Sequence, residues 1–349
     1  MSNRDNFSQP TKDIIAKRAG GLCCFPGCGS ITVSASDESD ISSSSTGMAC
    51  HISSASPGKN AKRYDSTLTP DERMHPNNGI WMCYKHGKLI DTDEVRFETS
   101  TLKYWKELGE NISRLMHEKG VDYTTALKIV PKQLAENNLK IENLQNENQI
   151  IGEALFDSCI HLTWGEKLAN SIRDFLIEHS RNSIIHGKGG SVEIKIDYNK
   201  ITILDNGNEF HPKEFASIEG SGGKMAYSYL TDLFKKDIII TTQRIGDKNR
   251  TVISKLNQPE EIFDITDCSI ELSISEFKWG IQDYEIHESC QELFVVLPKY
   301  FTASDFPRNG VVNKLENEKR PITFIGENLS DMVIGMIKDK YPKSELIII

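Results

Sequence analysis

Two close pairs of metal-binding residues lie in the first quarter of the chain. Cys23 and Cys28 are separated by four residues that include a proline and a glycine, and Cys83 and His86 are separated by two. Three thiolates and one imidazole are the ligands of a closed, tetrahedral zinc site. Cys24 is an alternative first ligand, and incidental core cysteines are the competing interpretation. The N-terminal residues, MSNRDNFSQP, are too polar for a secretory signal, so the pattern favours structural zinc over a disulfide framework.

A second group of residues lies between and after these pairs. It consists of His51, Asn78 and the sequence HGKLID, which ends in Asp91. The order Cys…Cys, His, Asn, Cys-x-x-His resembles the HNH endonucleases, whose treble-clef zinc finger carries a nuclease site. The variant with HGKLID after the second pair is especially similar. The resemblance covers residues 1–108.

The resemblance implies a role for each of these residues. His51 corresponds to the general base that activates water, and Asn78 corresponds to the residue that holds the catalytic loop in shape. The third position of the motif, usually histidine, is Gly87, and Cys50 stands where many relatives have an acidic residue. Asp91 lies four residues after Gly87 on the same face of a predicted helix, which makes it the best candidate ligand for a second metal.

The chemistry implied is hydrolysis of a phosphodiester bond in double-stranded DNA. A neutral imidazole can take a proton from water near pH 7. A hard cation, Mg²⁺ or Mn²⁺, would stabilise the charged phosphate and is distinct from the structural zinc. The sequence PGKNAKRY after His51 offers Lys59, Lys62 and Arg63 as phosphate contacts, although such a charge run is usually only a solvated face.

The composition limits the class of protein. The 349 residues are 38% hydrophobic, with a net charge of −9 and a pI of about 5.6. This length allows two or three globular domains. The acidic balance argues against a protein that coats nucleic acid non-specifically. No apolar run reaches membrane-spanning length, and zinc-type thiolates need a reducing compartment, so we expect a cytoplasmic protein with no membrane partner. Cys159, Cys268 and Cys290 are predicted core residues.

A second pattern begins near residue 164. A predicted long helix contains EHSRNSIIHG, two predicted strands (SVEIKI and ITIL) follow, and then come DNGNEF and EGSGGKMAYSYL, a glycine-rich turn that opens a helix. Helix, hairpin, glycine motif and helix in this order resemble the GHKL ATPase domains of gyrase B, the MutL mismatch-repair protein and histidine kinases. The resemblance covers residues 152–300.

This second resemblance implies a site for ATP with Mg²⁺. Asn182 would contact the Mg²⁺, and Glu178 would activate water in members that hydrolyse ATP. Asp205 would accept the adenine amino group, and Gly207 would let the base pack closely. A glycine turn at a helix N-terminus presents backbone N–H groups to phosphate. The implied phosphate-binding residues are Gly220, Gly222, Gly223 and Lys224.

Together these patterns predict an α+β protein. The four predicted regions are 1–108, an HNH nuclease domain of ββα-metal (treble-clef) type; 109–151, a helical linker; 152–300, a GHKL α/β sandwich; and 301–349, a small C-terminal βαβ appendage.

Three functions compete on this basis. The first is an endonuclease that is controlled by ATP, as a homo-oligomer or with a partner protein, in defence against phage or foreign DNA. The second is a non-catalytic zinc-finger DNA-binding module with a degenerate nucleotide scaffold, and Gly87 is its best argument. The third is a histidine-kinase-like signalling protein, for which the sequences after His117 and around His161 lack the expected context.

Overall fold

The computed structural model is of mixed α+β class, which confirms the class predicted from the sequence. Its contacts divide the chain into two compact units, which are described separately. Lys59, Lys62 and Gly220 lie outside the described residues. The described residues are 4–58, 61, 63–130, 133–209, 222–280, 284–288, 290–307 and 314–349. The first unit is Met1–Leu139, Asn146–Arg173 and Lys195–Tyr198, and the second is Lys140–Gln145, Asp174–Ile194 and Asn199–Ile349.

The first unit is organised around two strands and the helix that follows them. β3 and β4 pair antiparallel, with His51 opposite Gly79, and α3 contacts both strands. The elements up to this helix are α1 (Gln9–Arg18), β1 (Val33–Ala35), β2 (Ser43–Ser45), β3 (Gly47–His51), α2 (Pro70–Met74), β4 (Gly79–Cys83) and α3 (Tyr84–Thr92).

Helix α4 (Thr99–Lys119) supplies much of the apolar core of this unit. Leu102, Trp105 and Ile112 recur at helical spacing and are buried. The helix ends where Gly120 enters the left-handed region with φ of +63°, a common helix stop. It therefore extends beyond residue 108, where the sequence suggested that the first domain ends.

The described residues of 109–151, which leave out 131 and 132, do not form a single linker helix. The described part of this segment contains the end of α4, α5 (Tyr123–Ile129), β5 (Asn137–Ile141) and the start of α6 (Glu147–Asp157). Ile141 is buried at the end of the strand. A short apolar stripe is equally compatible with a strand and a helix, and tertiary packing decides which of the two forms. Two more helices follow: α7 (Ile160–Thr163) and α8 (Glu166–Arg181).

The second unit contains an antiparallel group of strands after α8. β9 pairs with β7 on one side and with β8 on the other. Gly246, with φ of +60°, allows the two-residue turn that joins β8 to β9. The elements here are β6 (Val192–Asp197), β7 (Lys200–Asp205), α9 (Gly222–Phe234), β8 (Ile239–Ile245) and β9 (Lys248–Ser254).

A four-stranded parallel sheet completes this unit. Its strands lie in chain order, and the strand–helix–strand predicted within 301–349 forms its last part. Two earlier strands extend the same sheet, so the predicted appendage is not separate from them. The elements are β10 (Ser269–Glu271), α10 (Ile274–Trp279), β11 (Leu293–Val296), β12 (Ile322–Gly326), α11 (Asp331–Lys340) and β13 (Glu345–Ile348).

Two of the cysteines expected to be core thiols form a disulfide. Cys268 and Cys290 are bonded, with Cα atoms 5.6 Å apart. Their separation of 22 residues carries no signal in the sequence, because pairing depends on the fold and not on spacing. Cys159 is a fully buried free thiol, as expected. Among the described helices, none has the length and apolar character needed to cross a bilayer.

Candidate metal centre and motif clusters

The four predicted zinc ligands converge on one point. The ligand atoms of Cys23, Cys28, Cys83 and His86 all lie within 4.8 Å of one another. His86 Nδ1 is 3.4 Å from the Sγ of Cys23 and 3.3 Å from that of Cys83. A donor set of three sulfurs and one nitrogen suits a thiophilic divalent ion. The cluster could therefore bind a metal such as zinc.

Short-range structure brings these ligands together. Gly27, with φ of +75°, takes a left-handed conformation that is easy for glycine, and so turns the chain into Cys28. Cys83 caps the start of α3, and His86 lies in its first turn. The ring of Phe25 stacks on the imidazole of His86, with centroids 3.9 Å apart, and so orients that ligand.

Cys24 does not belong to the cluster. It packs against Gly109, where an added Cβ would lie 2.5 Å from its Sγ. Burial raises the pKa of the Cys24 thiol to about 12, which favours a neutral thiol in the core. The alternative between the two neighbouring cysteines is thus resolved in favour of Cys23 as the ligand.

His51 lies at the end of β3 and is held by two residues of the N-terminus. Its Nε2 is 2.9 Å from the carbonyl oxygen of Asp5, and Phe7 stacks on its ring with centroids 3.8 Å apart. A carbonyl only accepts, so Nε2 carries the proton and Nδ1 keeps its lone pair. Burial lowers the pKa of His51 to about 4, against the opposing effect of the Asp5 carbonyl. The imidazole is therefore neutral at pH 7.

Asn78 fixes the loop that follows His51. It is buried, and its Oδ1 accepts a hydrogen bond from the backbone N of Ser53 at 2.7 Å. Its Nδ2 donates to the carbonyl oxygens of Ser53 and Arg73, at 2.9 and 3.0 Å. One side chain thus fixes the backbone of Ser53, two residues beyond His51, and links it to the backbone of Arg73.

Arg63 is an internal brace and not the surface phosphate contact that we expected. Its side chain is only 3% exposed, and Nη1 donates to the carbonyl oxygens of Ile90 and Phe97 at 2.7 and 3.2 Å. Nη2 lies 3.6 Å from Asp91 and 3.9 Å from Glu94. Burial raises the pKa of Asp91, and the charge of Arg63 opposes that rise. Asp91 keeps a side chain that is 40% exposed.

Gly87 occupies a position with no room for a side chain. A Cβ there would lie 2.5 Å from the Sδ of Met48 and 3.0 Å from the Sγ of Cys50. Both of these side chains project from β3 onto α3. The absence of the third motif residue is therefore a packing requirement: the helix reaches the strands only because position 87 is glycine.

In the second unit, Asp205 is the centre of a buried hydrogen-bond network. Its Oδ1 accepts from Ser183 Oγ at 2.8 Å, from Gly207 N at 3.0 Å and from Asn249 Nδ2 at 3.0 Å. Its Oδ2 lies 3.3 Å from Nε2 of His179. Burial works against the charge, but these hydrogen bonds outweigh it and lower the pKa of Asp205 to about 2. An adenine amino group would have to compete with these donors.

Of the other predicted nucleotide contacts, Glu178 lies against the start of α9. Glu178 pairs with Arg181 at 3.0 Å, and a Cβ on Gly222 would lie 2.6 Å from Glu178 Oε2. Asn182 Nδ2 is buried and, within the described residues, has no hydrogen-bond partner. Gly223 and Lys224 follow in the first turn of α9, and Gly220 lies outside the described residues.

Several residues of these clusters carried no signal in the sequence. Asp5 and Phe7 reach His51 from 46 and 44 positions away, and Asn249 reaches Asp205 from 44. His179 and Ser183, by contrast, stand inside the motif EHSRNSIIHG. Contacts of this range depend on the fold, so no short pattern could have identified them.

Comparison with models of known protein families gives no match, and neither does comparison with curated proteins.

Proposed function

We propose that the first unit is a zinc-stabilised, HNH-like endonuclease that acts on double-stranded DNA. The observation that carries the proposal is the state of His51: neutral, with Nε2 bonded to a carbonyl oxygen. Nδ1 is then the proton acceptor that a general base needs. Zinc in the Cys/His cluster would be structural, because four protein ligands leave no open position for a substrate.

The proposed reaction is attack of water on a phosphodiester. His51 Nδ1 takes the proton from the water as its oxygen bonds to phosphorus, the P–O bond to one deoxyribose oxygen breaks, and that oxygen leaves with a proton from solvent. Asn78 keeps the following loop in place. Asp91 is the residue that would hold a hard cation, Mg²⁺ or Mn²⁺, which supplies charge neutralisation at the phosphate when bound. Arg4 and Lys88 are exposed cations whose charges act on the Asp91 carboxylate, and they replace Arg63 as the proposed phosphate contacts.

A cavity beside the site offers space for a strand of DNA. Its volume is about 630 Å³, and Arg4, Asp5, Tyr64 and Arg73 are among its lining residues. The carbonyl of Asp5 is the group bonded to His51. The cavity is therefore lined by the residue that is hydrogen-bonded to the proposed general base.

Cleavage of supercoiled plasmid with Mg²⁺ or Mn²⁺ tests this proposal. His51→Ala should lower the cleavage rate by about 10²–10⁴-fold while zinc content stays normal, because His51 is not one of the four ligands. His117→Ala, at an exposed position in the last turn of α4, is the matched control. Asp91→Ala should weaken cleavage in a way that extra Mn²⁺ partly restores. Full activity in His51→Ala would refute the assignment.

The non-catalytic alternative makes a different prediction. Cleavage would be absent in the wild-type protein with either cation, while DNA binding persists. Gly87 favours this alternative, since its packing excludes a third motif side chain. A gel-shift measurement beside the cleavage assay separates the two functions.

For the second unit we propose binding of ATP with Mg²⁺. The support is twofold: the buried Nδ2 of Asn182 has no hydrogen-bond partner in the described part of the chain and could donate to a phosphate oxygen, and Glu178, four residues earlier, lies against Gly222 at the start of α9. Calorimetry with a non-hydrolysable ATP analogue tests it: Asn182→Ala should lose binding, and Asn170→Ala, exposed on α8, which ends immediately before Asn182, should not. Asp205→Ala tests adenine recognition in the same assay. Equal affinity in all variants would place any nucleotide elsewhere.

ATP control of the nuclease is the remaining part of the proposal. A nuclease needs restraint in its own cell, and a nucleotide shifts an equilibrium only through different affinities for the two states. ATP should therefore change both cleavage rate and oligomer size, and Glu178→Ala should trap the nucleotide-bound form if hydrolysis resets the switch. Mass photometry beside cleavage measures both. Defence against foreign DNA is the setting that we propose, by analogy of architecture alone.

A further inference from the structure

The N-terminal segment Asp5–Phe7, called the strap below, contacts the surroundings of His51 at several points. The carbonyl of Asp5 accepts from His51 Nε2 at 2.9 Å, and its backbone N donates to the carbonyl of Ala55 at 3.0 Å. The ring of Phe7 lies parallel to the imidazole, with an interplanar angle of 4°. The strap thus contacts the edge and the face of one histidine and the loop beyond it.

An ion pair anchors the strap at its other side. The carboxylate of Asp5 lies 2.7 Å from Nε of Arg73. That guanidinium is only 9% exposed, is also bonded to the carbonyl of Leu68, and stands over the ring of Tyr64 at 5.3 Å. Because Arg73 is itself held, the charge pair fixes the backbone of Asp5, and with it the carbonyl that faces His51.

The opposite end of the strap is part of the core. Phe7 is 5% exposed, and Ser8 immediately caps α1 by accepting from the backbone N of Thr11. A Cβ at Gly79 would lie 3.1 Å from Phe7 Cζ and 2.2 Å from Ile15 Cδ1, so this glycine opens the space that the ring fills. The strap is therefore held by helix start, ring packing and ion pair together.

We infer that the strap is the positioning element of the nuclease: Phe7 and Asp5, although outside every recognised motif, hold His51 in the orientation and tautomer that its role as a base requires. The inference rests on the proposed function. Phe7 is buried, and the carbonyl and carboxylate of Asp5 bond to His51 and Arg73, so both residues act through His51, although Asp5 also lines the cavity. Losing Phe7 should leave DNA binding intact and slow the chemical step.

The physical basis is the two-fold ambiguity of a histidine ring. Without the Asp5 carbonyl, either nitrogen can carry the proton, and without the Phe7 face the ring can rotate. Each change removes part of the population in which Nδ1 faces the water. Misplacement of a catalytic group by about 1 Å can cost roughly 10²-fold in rate.

The experiment compares Phe7→Leu with two matched variants in zinc-loaded, full-length protein. Phe7→Tyr keeps the stacked ring. Phe156→Leu removes a similar ring that stacks on another histidine, His161, at 4.6 Å. Phe7→Leu should lower kcat by roughly 10–100-fold with KM unchanged, and Phe7→Tyr and Phe156→Leu should match wild type. Equal kcat in Phe7→Leu and wild type would overturn the inference.

A second readout does not depend on cleavage. Nitrogen-15 NMR of the imidazole reports which ring nitrogen carries the proton. Wild type should show His51 protonated at Nε2, and Phe7→Leu should show a mixture. A wild-type protein that never cuts DNA, yet shows this change, refutes the proposed function and leaves the strap as a structural device. An unchanged tautomer refutes the strap even if the wild type cuts.

Asp5→Ala covers the case in which Phe7→Leu fails to fold. It retains the backbone carbonyl and removes only the ion pair with Arg73, so zinc content should be normal. We expect a smaller loss of kcat in the same direction and a partial tautomer mixture. Unchanged kcat and tautomer in a folded Asp5→Ala protein would show that the strap does not position His51.

Discussion

In both units the motif residues come together, but the two clusters differ in how far their polar atoms are already bonded to protein groups. In the first unit, Cys23, Cys28, Cys83 and His86 converge with their ligand atoms directed at a common point. In the second, Asp205 also gathers its neighbours, but its two oxygens already face four protein groups. The first cluster could bind a metal such as zinc, whereas both oxygens of the Asp205 carboxylate already have protein partners.

The difference shows that residues which come together in the fold do not by themselves indicate a ligand-binding site. When residues from distant positions come together, their polar atoms either stay available to a ligand or form hydrogen bonds with one another. The Cys/His cluster is of the first kind. The Asp205 network is of the second, which is why its nucleotide role depends on Asn182 and on the start of α9.

Removal of the metal should produce the largest effect. Cys83→Ala should lose about one zinc per chain and unfold the first unit, because binding of structural zinc contributes on the order of 10 kcal/mol to folding in small metal-dependent domains. Cys24→Ala, one residue from a ligand, should keep its zinc. Elemental analysis with thermal denaturation measures both. A folded, metal-free Cys83→Ala protein would remove the contrast between the two units.

Breaking the Asp205 network should come next. Asp205→Ala removes the acceptor that the buried Ser183 and Asn249 side chains share, and such losses cost about 1–3 kcal/mol each. Glu178→Ala removes a half-exposed pair with Arg181, which is worth roughly 0–1 kcal/mol. Urea denaturation gives both values. Equal stability of the two variants would mean that the network is not the support described above.

We expect acid to unfold the two units at different pH values. The pKa of Asp205 is about 2 in the folded protein, below its value of about 3.9 in an unfolded chain. Its contribution, about 2–3 kcal/mol, is complete above the unfolded pKa and disappears as pH falls through the folded pKa. The zinc ligands bind only when deprotonated, so the first unit should fail at a higher pH. Circular dichroism between about pH 7 and pH 2 follows both transitions, and a single common midpoint would contradict this order.

The packing at Gly87 gives the smallest effect. Gly87→Ala inserts a methyl group against Met48 Sδ, and overpacking of this kind costs about 1–3 kcal/mol. Met48→Ala should make the same substitution cheaper, which a double-mutant cycle detects as non-additivity. Simple addition of the two effects would show that the helix moves away instead.

The sequence was sufficient for the metal cluster because its ligands form two local pairs, each beside a turn or a helix start. The capping box of α2, formed by Thr69 and Glu72, is local in the same way. Both depend on residues that lie within a few positions of one another, where local backbone preferences decide the geometry.

Long-range pairings were beyond the sequence. Nothing near Phe7 indicates a histidine partner, and a charged residue in PGKNAKRY gave no sign that Arg63 would be buried between Asp91 and Glu94. The segment 109–151, predicted as one helical linker, contains parts of three helices and a strand, because tertiary packing outweighs a weak periodicity. The HNH-like and GHKL-like assignments remain predictions.

The disulfide gives the two units separate chemical controls. The Cys268–Cys290 bond closes a loop of 22 residues, and by chain entropy such a crosslink stabilises by about 3 kcal/mol. A reductant removes that constraint from the second unit while keeping the thiols of the metal cluster able to bind. With zinc bound in the cluster, a chelator should do the reverse. We therefore expect each unit to be weakened by a reagent that leaves the other intact, in one unmutated preparation of the protein.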